Sequence, residues 1–215
     1  MSTVSDEPRA RTLELAGYGA VLTDLDGTLV DSDPPMRRAW TAFADRQGLD
    51  PERVIAIARG RPSRETAAEL APDALDEPAR LERAETSDTE GVTAIAGAPE
   101  LLAAPLTLAI VTSCSRALAA ARLAAAGLPL PRTLVCTDEI ARGKPDPEPY
   151  LLGAERLGVA PADCVVLEDA PAGIASGKAA GMTVIALRTT HADADLAAAD
   201  AVIDDLTALA LPGAV

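Results

Sequence analysis

Two aspartates, Asp24 and Asp26, sit at the end of the short apolar run that begins Val21-Leu22-Thr23, and Gly27-Thr28-Leu29 follows them. Residues two apart on an extended backbone point to the same side, so the two carboxylates face one shared site. Held that close they repel each other, and a cation or a shared proton must relieve the repulsion. Asp before Gly is also ordinary turn chemistry, so the pair gains meaning only beside other reactive residues. Those are Thr112 and Ser113, Lys144 within Gly143-Lys144-Pro145-Asp146-Pro147, and the adjacent acids Glu168 and Asp169. Several carboxylates with no histidine among them call for a hard divalent cation, and Mg²⁺ fits best. Such a cation recruits phosphate oxygens, for which the Lys144 ammonium and the Ser113 hydroxyl are further contacts. A carboxylate can attack phosphorus to give an acyl phosphate that water then cleaves. With metal and lysine offsetting phosphate charge, Asp24 can approach an anion, and Asp26 can protonate the leaving oxygen and then activate water.

This chemistry requires elements that bring the four segments to one edge. Apolar runs at about 19–25, 106–111, 133–136, 164–167, 183–187 and 201–203 read as strands. Helical periodicity separates them after Gly97, as in the Ala-rich run before Gly127 and in the run from Pro171 to Ala180. Strands alternating with helices predict a parallel sheet covered on both faces, an α/β Rossmann-like three-layer core. Between the first strand and the rest lies an all-helical stretch. Its helices are expected at Met36–Gln47, from Asp50-Pro51 to about Ala58, at 64–70 and at 77–87, with Gly48 and the polar loop Arg59 to Arg64 as punctuation. The division is therefore 1–30 plus 95–215 for the core, with 1–17 a loose tail, and 31–94 for an inserted helical domain. Ligands of open parallel sheets bind outside the carboxyl ends of the strands, where the four segments end.

The 215 residues carry 19 basic and 33 acidic side chains, a net charge of −14, which argues against nucleic acid as a partner. No apolar run approaches membrane-spanning length and no leader is evident, so a cytoplasmic protein with no membrane partner is expected. Only two lysines occur, Lys144 and Lys178, against seventeen arginines, which draws attention to the retained Lys144. Cys114, Cys136 and Cys164 read as reduced thiols, and a single histidine, His191, excludes multi-histidine metal sites. His191 is expected in a loop, Cys114 as a small packing residue, and Trp40 and Phe43 as members of a packed helix stripe.

Taken together, Asp24-Leu25-Asp26-Gly27-Thr28, Thr112-Ser113, Lys144 in Gly-Lys-Pro-Asp-Pro, and Glu168-Asp169 resemble the four signatures of the haloacid dehalogenase superfamily. The likeness extends through Leu29 to Ser32, Glu148-Pro149-Tyr150 and Ala170 to Ile174. The resemblance implies Asp24 as nucleophile and Asp26 as general acid and base. It implies Mg²⁺ held by the Asp24 side chain, the Asp26 backbone carbonyl and Asp169, with Glu168 supporting that shell. Thr112, Ser113 and Lys144 would hold the phosphoryl group, and the helical insert would be the cap that closes over the site. Arg61 and Arg64, in the loop where such caps present specificity residues, and Arg116 are candidates to touch substrate; the alternative for all three is a solvated ion pair. In style the chain is closest to sugar- and polyol-phosphate phosphatases and to β-phosphoglucomutase-like proteins. The expected activity is hydrolysis of a small phosphorylated metabolite by a monomer or weak homodimer. The rivals are a phosphomutase, a haloacid dehalogenase, and a non-enzymatic module phosphorylated on Asp24.

Overall fold

Val21 and Leu22 point to opposite faces of the same strand and are both buried, which requires cover on two sides. A computed structural model describes residues 13–213. The amino-terminal part comprises β1 (Leu13–Glu14), β2 (Ala20–Thr23) and β3 (Val30–Asp31), then α1 (Asp33–Gln47), α2 (Pro51–Ala58), α3 (Ser63–Leu70) and α4 (Glu77–Ser87). After β4 (Thr93–Ala94) and α5 (Ala98–Ala103) come β5 (Leu108–Val111), α6 (Arg116–Ala125), β6 (Thr133–Val135) and α7 (Glu148–Leu157). The chain ends with β7 (Cys164–Glu168), α8 (Pro171–Ala179), β8 (Thr183–Leu187), α9 (Asp193–Leu196), β9 (Ala201–Ile203) and β10 (Leu209–Ala210).

The main sheet is parallel throughout, in the order β6-β5-β2-β7-β8-β9. The chain builds outward from β2 to β6, then crosses back to β7 and builds the other way. The reversal leaves a crevice between the carboxyl ends of β2 and β7, the switch point where open sheets bind ligands. On one face Val21, Ile110, Val165 and Leu167 pack with Leu118 and Leu123 of α6; on the other Leu22, Val111, Val166 and Val184 pack with Tyr150 and Ala154 of α7 and Ile174 of α8. Gly153 lets α7 approach closely, since a Cβ there would lie 2.7 Å from Leu22 Cδ2.

All six strands expected for this sheet form, within about two residues of their expected ends. The four helices α1–α4 also form, around a separate cluster that includes Trp40, Phe43, Val54, Ile55 and Leu81. Trp40 and Phe43 meet edge to face at 5.3 Å. Asp50 caps α2 by accepting from the Arg53 N–H, and Gly48 ends α1 in the left-handed conformation. The two-residue strands β3 and β4, absent from the sequence reading, pair antiparallel where the chain enters and leaves the helices.

The loose tail expected at 1–17 needs correction at its end. Leu13–Glu14 pairs in parallel with Leu209–Ala210, and Leu15 is fully buried, because its apolar side chain completes the face shared with Leu206 and Leu209. The earlier part of that expectation, residues 1–12, lies outside the described residues. Among the described residues no helix is long and apolar enough to cross a membrane.

Candidate active site

The turn after β2 wraps around one carbonyl: the N–H groups of Thr28, Leu29 and Val30 all donate to Leu25 O, and Gly27 N–H donates to Val30 O. Gly27 has φ +81°, and a Cβ there would lie 2.3 Å from Asp169 Oδ2. Glycine thus serves twice, for the left-handed turn and for the approach of the β2 and β7 loops. This turn sets Asp24 and Asp26 at the crevice, opposite Glu168 at the end of β7 and Asp169 just beyond it.

Lys144 joins the two sides. Its Nζ lies 2.5 Å from Asp24 Oδ1, 2.7 Å from Glu168 Oε1 and 3.0 Å from Val111 O, so all three ammonium protons are used. The loop carrying Lys144 is anchored from several directions: Glu148 accepts from the Ala141 and Arg142 N–H groups, Asp146 Oδ1 accepts from Glu148 N–H, and the Ser176 hydroxyl donates to Asp146 O. Glu168 has no free lone pair of consequence. Its Oε1 also accepts from the Tyr150 hydroxyl at 2.9 Å, and Oε2 accepts from the Asp169 and Ala170 N–H groups. Asp169 is oriented by the hydroxyls of Thr28 and Thr190.

Burial pushes the Asp24 carboxyl up to about 7; Lys144 opposes the rise, and Glu168 and Asp26 add to it. Burial, with Glu168 and Asp24 beside it, likewise holds Asp169 well above the ordinary carboxylate range. For Lys144 burial alone would favour the neutral amine, but Asp24 and Glu168 outweigh it and hold the proton on. Carboxylate oxygens of Asp24, Glu168 and Asp169 lie within 4.8 Å of one another, a set of hard donors suited to a divalent cation. Acids pushed toward protonation by burial and by each other ionise readily once a dication lies among them. Glu168, already bonded on both oxygens, fits the role of holding Lys144 and the β7 loop better than that of a direct ligand.

Above these residues is a cavity roofed by the inserted helices. Thr112 and Ser113 reach it, and the Ser113 hydroxyl donates to Gly60 O at 3.3 Å. Met36, Trp40, Arg59 and Arg61 line its far wall. Arg61 borders the cavity, yet its guanidinium is turned to Glu69. Arg64 pairs with Glu82 on the outer surface of the inserted helices, and Arg116 is drawn to Glu139 and Leu134 O. Neither Arg64 nor Arg116 borders the cavity, because acids on their own side of the fold take their guanidinium groups. The Ser115 hydroxyl caps α6, which leaves Ser113 free for the site.

Several site residues escaped the sequence reading. Arg59, in the same arginine loop, lines the cavity and pairs with Asp33 at 2.5 Å. Arg122 lies 2.6 Å from Asp26 Oδ2 and 3.3 Å from Glu85 Oε1, and both Glu85 and Arg122 are buried. The available signal was a charge on the apolar face of each helix: Arg122 among Leu118, Ala119 and Leu123, and Glu85 one turn after Leu81. Asp26 further accepts from the Ser32 hydroxyl at 2.7 Å and the Cys114 thiol at 2.9 Å. Burial, and Asp26 beside it, push that thiol far above its ordinary range, so Cys114 is an inert donor. His191, half-buried, approaches the Asp169 carbonyl with Nδ1 at 3.1 Å, and burial lowers its pKa.

Comparison with known proteins agrees with this geometry. Residues 18–181 match the family model described as haloacid dehalogenase-like hydrolase. Hexitol phosphatase A of Escherichia coli is 49% identical over 175 residues, covering 77% of this chain and 81% of that protein. Validoxylamine A 7'-phosphate phosphatase of Streptomyces hygroscopicus is 37% identical over 207 residues, covering 91% and 97%. Among solved structures, CbbY from Rhodobacter sphaeroides in complex with phosphate superposes with a TM-score of 0.74 at 27% identity, covering 88% of this chain and 95% of that one. With four separated segments meeting at the sheet's switch point and the match running through all of them, the chain belongs to the haloacid dehalogenase-like hydrolases.

Proposed function

We propose that this protein is a Mg²⁺-dependent phosphatase that hydrolyses a small phosphorylated polyol or sugar through a phosphoryl group carried on Asp24. The observation that carries the reading is the buried Asp24–Lys144 contact of 2.5 Å beneath the cavity, with Lys144 held from behind by Glu168. The substrate class follows the hexitol phosphatase relative.

Lys144 offsets charge on the incoming phosphate and keeps its own charge because two carboxylates surround it. The Ser113 hydroxyl and Thr112 take phosphoryl oxygens. Asp24 attacks phosphorus, and Asp26 protonates the leaving oxygen, then takes a proton from the water that cleaves the acyl phosphate. Asp24, Asp169 and the Asp26 backbone carbonyl would hold Mg²⁺, with Glu168 behind them, and the ion would supply charge compensation for the phosphoryl group. Residues 31–94 act as a cap on the core built from the described residues on either side of them; Met36 and Trp40 supply an apolar wall that helps to exclude water.

A phosphate-release screen over polyol, sugar and nucleotide monophosphates with Mg²⁺ tests the proposal. Turnover concentrated on polyol or sugar phosphates is expected, and Asp24→Asn abolishes it for every ester. Retained turnover in Asp24→Asn refutes the nucleophile. Conversion of a hexose 1-phosphate into its isomer without phosphate release refutes hydrolysis in favour of a mutase.

A further inference from the structure

Helix α6 carries an arginine where its pattern calls for an apolar residue, and a charge buried at such a position needs partners to offset its desolvation. Arg122 finds carboxylates in two different parts of the fold. Its Nη1 meets Asp26 Oδ2 at 2.6 Å and Cys114 Sγ at 3.1 Å, both in the sheet-based core. Its Nη2 meets Glu85 Oε1 at 3.3 Å, and Glu85 belongs to α4 in the inserted helices. Arg122 is 5% exposed and Glu85 2%. A guanidinium is planar and rigid, so a carboxylate on one edge restrains the direction in which the other edge points.

The two contacts are unequal. The Asp26 contact is short, and the Ser32 hydroxyl holds the other oxygen of the same carboxylate. The Glu85 contact is long and single: Glu85 Oε2 and Arg122 Nε, both buried, have no hydrogen-bond partner. A two-bond fork would fasten α4 to the core, whereas one long contact lets the inserted helices part from it while Asp26 keeps its hold on the arginine.

We propose that Arg122 is a positioning residue for Asp26, and that Glu85 makes its hold depend on the cap being closed. The inference rests on the phosphatase reading, because what is aimed is a proton. As the Asp24 oxygen bonds to phosphorus, the ester P–O bond breaks with its electron pair on the leaving oxygen, which takes the Asp26 proton and departs as the alcohol. Water then attacks phosphorus, Asp26 recovers a proton from it, and Asp24 and inorganic phosphate are released. With α4 docked, the guanidinium is anchored on both edges and the Asp26 carboxyl stays at the cavity wall. With α4 lifted, one anchor is lost and the aim of the acid loosens, so proton delivery is tied to enclosure of the substrate.

Leaving groups of different basicity separate this role from a structural one. An alkyl ester needs the proton in its transition state, and p-nitrophenyl phosphate, whose leaving group is a stable anion, does not. The kcat and KM of both esters are measured with Mg²⁺ for the wild type, Arg122→Lys, Glu85→Gln and the double variant, the alkyl ester being a hexitol phosphate. Arg122→Lys lowers kcat/KM on the hexitol phosphate about 100-fold, and the ratio of hexitol to p-nitrophenyl kcat/KM, which reports transfer to Asp24 and not the hydrolysis step both esters share, falls at least about 30-fold. Glu85→Gln, which keeps the shape of the side chain and so preserves the test if the arginine variant does not fold, lowers that ratio about 10-fold. The double variant loses no more than Arg122→Lys alone, as residues acting in one chain of contacts should. Equal losses of kcat/KM on both esters overturn the proposal alone. A wild type that hydrolyses neither ester overturns the phosphatase reading and this inference with it.

Discussion

Replacing Lys144 by Met keeps the side chain's length and removes its charge, which leaves Asp24 and Glu168 facing each other without the ammonium between them. Lys144 is 6% exposed and bonded to both carboxylates, so the change strands buried charge and does more than delete a surface pair. Breaking a buried ion pair by removing one partner costs about 3–5 kcal/mol. For a chain of this size that lowers Tm by roughly 10 °C. The loss has a pH signature, whose sign follows from Asp24. Its pKa is raised to about 7, so the stability it contributes is complete below the ordinary carboxylate range and is lost as pH rises through 7. Lys144 opposes that rise, so in Lys144→Met the carboxyl titrates higher still and the penalty grows with pH. The assay is thermal unfolding in chelator across pH 4 to 8, followed by circular dichroism. The gap between wild type and variant is expected to change little from pH 4 to about 6, where Asp24 is protonated in both, and to widen as pH passes 7 toward 8. A gap that is the same at both ends, or no gap at all, refutes the account of Lys144 as the charge that makes this acidic cluster tolerable.

Mg²⁺ added to the chelated protein raises Tm by an amount that grows with pH, since binding needs the carboxylates ionised; at 100 times its dissociation constant the gain is about 2.7 kcal/mol. Asp169→Asn removes that gain, and a variant that still responds to the metal overturns the role given to Asp169. Gly173→Ala places a Cβ 1.6 Å from Glu168 Oε1, which displaces the group that holds Lys144. The expected result is a loss of about 1–3 kcal/mol in chemical denaturation together with a drop in kcat, and full activity would mean Glu168 does not orient the lysine. Arg64→Ala and Arg116→Ala leave kcat and KM within about twofold, because both side chains sit in solvated ion pairs away from the cavity; a larger change in KM for either would return it to the substrate site.

The amino-acid sequence by itself determined the sheet and which polar residues stand at its carboxyl edge. Apolar runs bounded by glycine, proline and acids mark each core strand because a strand buried on both faces must be apolar throughout. Asp24, Asp26, Thr112, Ser113, Lys144, Glu168 and Asp169 were legible because each directly follows such a strand or sits in a proline-punctuated loop, where local spacing alone assigns the carboxyl end. Tertiary structure decided whatever depends on which side chains meet across the fold. Arg61, Arg64 and Arg116 looked alike as basic candidates, yet nearby Glu69, Glu82 and Glu139 claim their guanidinium groups. Arg122 and Glu85, 37 residues apart, each interrupt an apolar helix face, and only the packing of α4 on α6 brings them together beside Asp26. Leu13 joined the core only because β10, nearly two hundred residues later, offered an edge to pair with. Periodicity reports which way a side chain faces along its own element, whereas a charge's partner is set by packing between elements distant in the chain.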